Sequence, residues 1–411
     1  MTHLIGGISS AGRALPKIDG KSFQVLRSQG PYLWDMQGAR YVDTALGFGA
    51  SMLGHADTAV VDATCIALRN GPMPSFAHEA EEAAAAMLAR FTGELSKVIF
   101  LNTGSEAVHL ACRTARVATG RQLIVKFAAG YDGWYDQVAF GNAGSGAAEM
   151  AGGVRPHRDG ILLLRYNDLA DAEQLFREHT DIAAIVIEPV LANAGCVVPA
   201  PGYLKALSDL AHQHGALVVL DEVLMGFRLH CGLSGTLLGA DPDLATLGKA
   251  IGSGVPVAAL VGKPEIMNLF ERGRIVRAGT YSGAPPACAA VLASLTRLEK
   301  CDYPGLLARG DQLREDIGQA FAAQGAHIST SGYGTVFTLW NSPTAPRDYA
   351  EASHIADNQW TLDLHVALRK QGVMSMPFAY GRIYLTFAHD QTAFETLRQA
   401  YAGAAKQMLK R

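Results

Sequence analysis

The chain has 411 residues, of which 49% are hydrophobic and 18% charged, a balance typical of a well-buried globular protein that excludes a disordered chain. Its net charge is -3 and no block of Lys and Arg stands out, so the sequence carries no electrostatic footprint for binding nucleic acid or a membrane surface. The length favours two packed units over a single core.

The cysteines lie far apart and form no CxxC pair, so we expect buried free thiols and neither disulfides nor a metal site. The first ten residues lack a basic segment followed by an apolar stretch, and no apolar run approaches the roughly 20 residues of a spanning helix. The sequence therefore predicts a soluble cytoplasmic protein. The six cysteines are Cys65, Cys112, Cys196, Cys231, Cys288 and Cys301.

Taken in chain order, the pattern begins with an antiparallel hairpin over 31–43, where alternating apolar residues flank a Gln-Gly turn. Two helices are predicted over 57–70 and 77–93. Short, continuous apolar runs then alternate with helical stretches, which favours a parallel sheet covered on both faces. The runs are 98–102, 123–127, 160–166, 183–189, 216–223 and 256–262, and the main helices between them are 104–120, 169–178 and 202–214.

A long helix over 279–300 and another over 303–324 follow, then a short sheet region and a last helix over 391–409. We therefore predict an α/β protein with a large domain at 46–290. A smaller α+β unit would combine the N-terminal segment, 1–45, with the C-terminal segment, 291–411.

Two ionisable residues stand at the ends of apolar segments. Asp221 ends the run 216–223, where ligands of open α/β sheets bind, although a carboxylate that caps the next helix is the alternative. Lys249 follows an apolar segment and is flanked by glycine and small residues. A lysine in such a pocket can lose its proton and attack a carbonyl, whereas the alternative is a surface lysine beside a Gly-rich turn.

Two further features point to a flat, phosphorylated ligand. The segment 102–106, which contains Gly104 and Ser105, joins a strand to a helix, and this junction is either an anion site or a plain helix cap. Tyr131 follows Gly130 at a strand end and could stack on a flat heterocycle or pack on the core. One ligand would serve all these residues if it had a phosphate and a flat ring, a basic ring nitrogen for Asp221 and an aldehyde for Lys249. Pyridoxal 5'-phosphate meets these four conditions.

Almost the whole chain resembles the class III, fold-type I aminotransferases that use this cofactor, and it is most similar to the glutamate-1-semialdehyde aminomutase branch. The resemblance rests on LNTGSEAVHLACRTARVATGR, VIEPVLANAGCVVPAPGYL, LDEVLMGFR, LATLGKAIGSGVPVAALVG and AGTYSGAPPACAA. It implies a PLP-transferase fold with a mostly parallel sheet between helices. It also implies that Lys249 carries the cofactor as a Schiff base and shuttles a proton, and that Asp221 pairs with the pyridine nitrogen.

The resemblance also assigns roles around the ring. Val223 and Tyr131 would cover its two faces, and Gly104 and Ser105 would bind the phosphate. Thr280 would reach the phosphate of the neighbouring subunit, which implies a homodimer with shared sites.

At the substrate side, the resemblance implies that Glu188 and Asn193 form the family's EP…N segment, with Asn193 near the ring hydroxyl. Ser10 and Arg13 would contact substrate, with Arg13 holding a carboxylate. A surface arginine is the alternative for Arg13.

Several positions depart from the mutase branch. Ala128 and Ala129 stand where the branch has an acidic residue before the tyrosine, and Asp132 stands where a histidine is usual. Tyr380 and Arg382 occupy the branch's glutamate region near the C-terminus, and Arg382 is a second candidate to bind a substrate carboxylate. The Gly-Ser-Gly lid segment survives at 144–146. Loss of carboxylates near the substrate amines favours an intermolecular, ping-pong aminotransferase that joins a carboxylate-bearing amino compound to an oxo acid. The alternative is an intramolecular aminomutase.

Overall fold

The computed structural model describes residues 3–18, 20, 22–143, 145, 148 and 157–409. Near the N-terminus, β1 (Val25–Gln29), β2 (Tyr32–Asp35) and β3 (Arg40–Asp43) form an antiparallel meander. The Asp35 carboxylate closes the turn between β2 and β3 by accepting the N–H groups of Gln37 and Ala39. The predicted hairpin over 31–43 is confirmed.

The middle of the chain alternates helices and strands. Its elements are α1 (Leu46–Gly49), α2 (Thr58–Arg69), α3 (Glu79–Ala89), β4 (Lys97–Leu101), α4 (Gly104–Thr119), β5 (Leu123–Phe127), β6 (His157–Arg158), β7 (Ile161–Leu164), α5 (Leu169–Glu178), β8 (Ile182–Ile187), α6 (Tyr203–Gln213), β9 (Leu217–Asp221), α7 (Ser234–Leu237), β10 (Leu244–Leu247), β11 (Ala258–Gly262) and α8 (Pro264–Glu271).

Within the described residues, β4 to β11 form one sheet in the order β4-β11-β10-β9-β8-β5-β7-β6. The pairs from β10 through β9, β8 and β5 to β7 are parallel. Strand β11 runs antiparallel to both β10 and β4, so β4 shares the direction of β10. The sequence predicted the parallel majority but neither the reversal of β11 nor β10 as a strand of its own.

Both faces of this sheet are buried, which is why its strands are continuously apolar. The small side chains of α4, such as Ala111 and Cys112, pack with Val219 and Ala258 on one face. On the other face Leu220 and Ile185 lie in the main core. A helix with a small-residue face can approach a sheet closely, and α4 begins directly after the carboxyl end of β4.

The remaining elements form the C-terminal part. They are α9 (Pro285–Leu298), α10 (Tyr303–Ala322), β12 (Ser329–Tyr333), β13 (Val336–Trp340), α11 (Tyr349–Ile355), α12 (Asn358–Lys370), β14 (Val373–Met374), β15 (Arg382–Tyr384) and α13 (Gln391–Leu409). Strand β14 pairs in parallel with β3, and β12, β13 and β15 form a separate sheet. The first strands and the C-terminal part thus share hydrogen bonds, while the division into two domains stays a prediction.

The helix predicted over 279–300 begins only at Pro285. Residues 280–283 form turns, and Gly279 and Gly283 have φ values of 158° and 68°, which a helix does not allow. Two prolines then start the helix, where a missing N–H costs nothing. The six cysteines are free thiols, and no helix within the described ranges is both long and apolar enough to cross a bilayer.

Candidate active site

Five segments meet at one edge of the large sheet. Strands β4, β5, β8, β9 and β10 run in the same direction, so their carboxyl ends lie side by side. The residues that follow these ends line a cavity of about 340 Å³. They include Ser105, Tyr131, Glu188, Asp221 and Lys249. The carboxyl edge of a parallel sheet is where ligands of open α/β folds bind.

Lys249 follows β10 and is half-buried in this cavity. Its φ of 44° is left-handed, an unfavourable conformation for a residue with a side chain, and such strain clusters at functional sites. No hydrogen bond or ion pair of its ammonium group is found among the described residues. Burial lowers the pKa of Lys249. The negative charge of Asp221 raises this pKa, whereas nearby Arg228 and Arg382 lower it further. The surface-lysine alternative is therefore wrong.

Asp221 ends β9 with 4% of its surface exposed. Its Oδ1 accepts the Val223 N–H at 3.0 Å and the Thr246 hydroxyl at 2.9 Å. Neither bond uses Oδ2. Burial raises the pKa of Asp221, and the nearby Asp132 raises it further. The segment that follows is a series of turns and no helix, so the helix-cap alternative is wrong.

The junction of β4 and α4 combines a helix cap with free donors. Thr103 and Glu106 form a capping box, in which the Thr103 hydroxyl accepts the Glu106 N–H at 3.2 Å and the Glu106 carboxylate accepts the Thr103 N–H at 3.2 Å. Gly104 and Ser105 occupy the first two helical positions, whose N–H groups have no partner within a helix. The segment is therefore a helix cap whose first N–H groups remain free to bind an anion, and the anion site stays a prediction.

Close packing around Gly104 and Gly133 leaves no room for side chains there. A Cβ on Gly104 would lie 2.8 Å from Val223 Cγ1, and one on Gly133, where φ is 112°, would lie 2.9 Å from Ser105 Oγ. Val223 thus stands directly beside the anion site. The Tyr131 side chain borders the same cavity and is 44% exposed. The backbone N–H of Tyr131 donates to Glu188 Oε1 at 2.8 Å.

Glu188 follows β8 and is 4% exposed. Its Oε2 is buried without a hydrogen-bond partner among the described residues. Burial raises the pKa of Glu188, and Asp132 and Asp221 raise it further. The cavity therefore holds three neighbouring acidic groups that favour a cationic ligand group.

A second cavity, of about 220 Å³, shares Tyr131 and Asn193 with the first. Arg382 lies on its wall and is 9% exposed. Its Nε donates to the Tyr384 hydroxyl at 2.7 Å and its Nη1 to the Ala192 carbonyl at 3.3 Å. No acidic partner of this guanidinium is found in the described ranges. The other lining residues are Asn142, Ala143, Met376, Phe378 and Tyr380.

Three predicted site residues lie outside both cavities. Ser10 and Arg13 are exposed and belong to an N-terminal turn, in which the Arg13 N–H donates to the Ser10 carbonyl at 3.0 Å. Thr280 is exposed in the turn before α9. Their roles stay predictions. Of the Gly-Ser-Gly lid segment, only Ser145 is described, and Gly144 and Gly146 lie outside the described residues.

Sequence reasoning missed two residues that support the site. Thr246, in β10, holds Asp221 through its hydroxyl, and the only signal was one polar residue in an apolar strand. Lys126, in β5, is fully buried, and its signal was a lysine inside a continuous apolar run.

Comparisons with known proteins define the family. The model for aminotransferase class-III matches residues 17–385. The chain is 36% identical to the glutamate-1-semialdehyde 2,1-aminomutase of Chloroflexus aurantiacus over 409 aligned residues, 96% of this chain and 92% of that protein. This chain belongs to the class-III aminotransferases.

Solved structures agree on the fold. An omega-transaminase from Sphaerobacter thermophilus superposes with a TM-score of 0.88 at 26% identity, covering 98% of this chain and 94% of that one. A β-phenylalanine aminotransferase from Variovorax paradoxus superposes with a TM-score of 0.86 at 27% identity, covering 97% and 90%. The fold is that of the fold-type I PLP-dependent transferases, and pyridoxal 5'-phosphate is the cofactor of this enzyme class.

Proposed function

We propose that this enzyme transfers an amino group from a carboxylate-bearing amino compound to an oxo acid in two half-reactions. The observation that carries the proposal is the buried guanidinium of Arg382 on the wall of the second cavity, without an acidic partner in the described residues. A buried, unpaired charge is costly, so an arginine in this position favours a substrate that brings an anion.

The residues that line the first cavity offer a partner for each group of the cofactor. The free N–H groups at Gly104 and Ser105 suit a phosphate, and Val223 and Tyr131, which both line the cavity, would pack on a flat ring. Asp221 Oδ2 is available for a protonated ring nitrogen. Asn193, shared by both cavities, would stand between ring and substrate. When bound, the cofactor supplies an aldehyde that condenses with amines and a ring that delocalises the electrons left by a departing proton.

The chain's own residues would then divide the work. Lys249 Nζ, with its pKa lowered by burial, would hold the aldehyde and carry the proton from the substrate Cα. Asp221 would keep the ring nitrogen protonated, and Glu188 would position the Tyr131 backbone. Arg382 would orient the substrate by a bidentate pair with its carboxylate.

We further propose a cytoplasmic homodimer in which the partner subunit's Thr280 completes the phosphate site. A groove of about 880 Å³ opens on Ser105 and is bordered by Trp134 and Gly279. Trp134 is 75% exposed, Val276 66% and Tyr281 63%, a concentration of apolar surface that a partner subunit would cover. Free thiols fit a reducing compartment.

An aminomutase is the second candidate, because relatives of that name are 36% identical over 96% of the chain. Against it, the second cavity has no carboxylate among its described lining residues. In the first cavity, Asp132 is paired with Lys126 at 3.1 Å and Glu188 Oε1 accepts the Tyr131 N–H, so Asp132 does not replace a free carboxylate of the mutase branch.

Half-reaction spectroscopy on the PLP-loaded enzyme tests these alternatives. An aminotransferase should lose the visible absorption band of its bound cofactor with amino donor alone and regain it when an oxo acid is added. An aminomutase should convert glutamate 1-semialdehyde with no co-substrate, and that result would refute the proposal.

The carboxylate claim is tested by comparing an amino acid with its decarboxylated amine. Arg382→Gln should raise KM for the acid by roughly 10- to 150-fold, the value of a charge-assisted pair of about 1.5–3 kcal/mol, and leave the amine nearly unchanged. Arg398→Gln, which breaks a pair with Asp316 at 2.7 Å in the C-terminal part, is the matched control. Arg13→Ala, run in parallel, should raise KM for the acid if the N-terminal turn contacts substrate. Equal losses for acid and amine would mean that Arg382 does not read a carboxylate.

A further inference from the structure

A single buried ammonium group organises one side of the active site. Lys126, near the end of β5, is fully buried. Its Nζ donates to the Gly130 carbonyl at 3.0 Å, the Val138 carbonyl at 2.6 Å and Asn142 Oδ1 at 2.9 Å. It also pairs with Asp132 Oδ2 at 3.1 Å. All four partners belong to the loop that follows β5, residues 128–143, which is called the ring loop below.

The ring loop has no regular helix or strand of its own. Its base is closed by the Ala129 N–H, which donates to the Gly141 carbonyl at 2.7 Å, and Ala129 itself has a left-handed φ of 68°. A loop of this length without a ladder of hydrogen bonds is held mainly by what its backbone meets inside it. Lys126 is one such interior contact, beside the bond from the Tyr131 N–H to Glu188, and its partners lie toward both ends of the loop.

The ring loop touches each part of the site. Tyr131 borders the first cavity, Gly133 packs against Ser105 at the anion site, and Asn142 lies on the wall of the second cavity. Any shift of the loop would therefore move a ring contact, a phosphate contact and a substrate contact together.

The contacts of Lys126 with the ring loop include an ion pair with Asp132. Asp132 is 2% exposed, lines the first cavity, and has Lys126 as its ion-pair partner in the described ranges. Its neighbours Glu188 and Asp221 are acidic, and a phosphate would lie beside Gly133. Without Lys126, a carboxylate at this position would repel both those groups and the phosphate.

We propose that Lys126 and Asp132 are positioning residues, whose buried ion pair holds the ring loop in the conformation that receives the cofactor and walls the substrate cavity. The proposal rests on the family's cofactor and is independent of the substrate proposed above. Lys126 is not among the lining residues of either cavity, and the pair would act on the site through Tyr131, Gly133 and Asn142.

The chain offers a matched control for a buried pair away from the site. Lys263 Nζ lies 2.8 Å from Asp243 Oδ1, with side-chain exposures of 18% and 9%. Asp243 precedes β10 and Lys263 follows the antiparallel β11, so this pair lies at the opposite edge of the sheet. Lys263→Met therefore removes a paired ammonium of the same kind without touching the ring loop.

The experiment compares Lys126→Met, Asp132→Asn, the double variant and Lys263→Met in the full chain. Two readouts need no substrate: the dissociation constant of pyridoxal 5'-phosphate for the apoprotein, and hydrogen–deuterium exchange of peptides covering 128–143. Lys126→Met should weaken cofactor binding by about 10- to 100-fold, because it leaves a buried carboxylate unpaired, and should speed exchange in the ring loop. The double variant should recover part of both losses, and Lys263→Met should change neither.

Two results would overturn the proposal. The first is cofactor affinity and loop exchange in Lys126→Met that match those of Lys263→Met. The second is a double variant whose cofactor affinity and loop exchange match those of Lys126→Met. If the ion pair holds the loop, neutralising the unpaired Asp132 must restore part of both. Should Lys126→Met fail to fold, Asn142→Ala removes one acceptor at the half-buried end of the loop. Exchange at 138–143 must then rise by at least about tenfold, the lower end of the value of one hydrogen bond to a charged group, and unchanged exchange refutes the proposal.

Discussion

Replacing Asp221 by Asn tests the centre of the proposed chemistry with little change in shape. The Asn side-chain oxygen can still accept the Val223 N–H and the Thr246 hydroxyl, which now bond to Asp221 Oδ1 at 3.0 and 2.9 Å. Only Oδ2 changes, from a charged acceptor to an amide donor. We therefore expect the fold to survive and the ring nitrogen to lose its proton.

The magnitude follows from the pair that is lost. A hydrogen bond to a charged group contributes about 1.5–3 kcal/mol, so affinity for the cofactor should fall by roughly 10- to 150-fold. Turnover should fall further, on the order of 10²–10³-fold, because a preorganised charge contributes most where charge develops in the transition state.

The assay is a cofactor titration of the apoprotein followed by kcat at saturating cofactor, with Asp243→Asn as the control. Asp243 is also buried, and it accepts the Val218 N–H at 2.9 Å at the opposite edge of the sheet. Asp243→Asn should lower stability and leave kcat unchanged. Normal kcat and cofactor affinity in Asp221→Asn would refute the reasoning. Asp221 would then serve only to accept the Val223 N–H and the Thr246 hydroxyl.

Three further predictions concern the lysine, the interface and a buried histidine. Lys249→Ala should abolish turnover with the fold intact, since both the proton carrier and the aldehyde's amine are lost; near-normal rates would mean that another group is the catalytic lysine. Mixing Lys249→Ala chains with Thr280→Ala chains should restore activity after verified subunit exchange, because a mixed dimer with shared sites contains one intact site; no recovery would count against the shared site. Burial lowers the pKa of His389 to about 4 from an unfolded value near 6.5, so its stabilising effect is present above pH 6.5 and is lost as the pH falls toward 4. The stability advantage of the wild type over His389→Gln should shrink by about 2 kcal/mol between pH 7 and pH 5, and urea unfolding of both proteins at the two pH values checks this. The comparison is made as a difference because buried carboxyl groups with raised pKa values, such as Glu222, shift stability in the opposite direction in both proteins.

The sequence by itself determined the features that depend on local order. Continuous apolar runs separated by helical stretches predict a buried parallel sheet, and the carboxyl ends of such strands lie at one edge by geometry alone. Asp221 ends a predicted strand and Lys249 follows an apolar segment, and a single ligand that would use both groups predicted their meeting in one cavity without coordinates. The motifs around them carried the family and the cofactor.

Only the tertiary structure decided what joins distant parts of the chain. Arg382 reaches the second cavity through β15, which is more than 180 residues from Ala192, its hydrogen-bond partner. Thr246 meets Asp221 because β10 pairs with β9, and the reversal of β11 follows from no local pattern. Sequence reasoning missed Lys126, whose four oxygen partners come from the packing of the loop that follows its strand. Periodicity records which face of an element is buried, whereas the identity of the groups that meet across that face depends on how the elements pack.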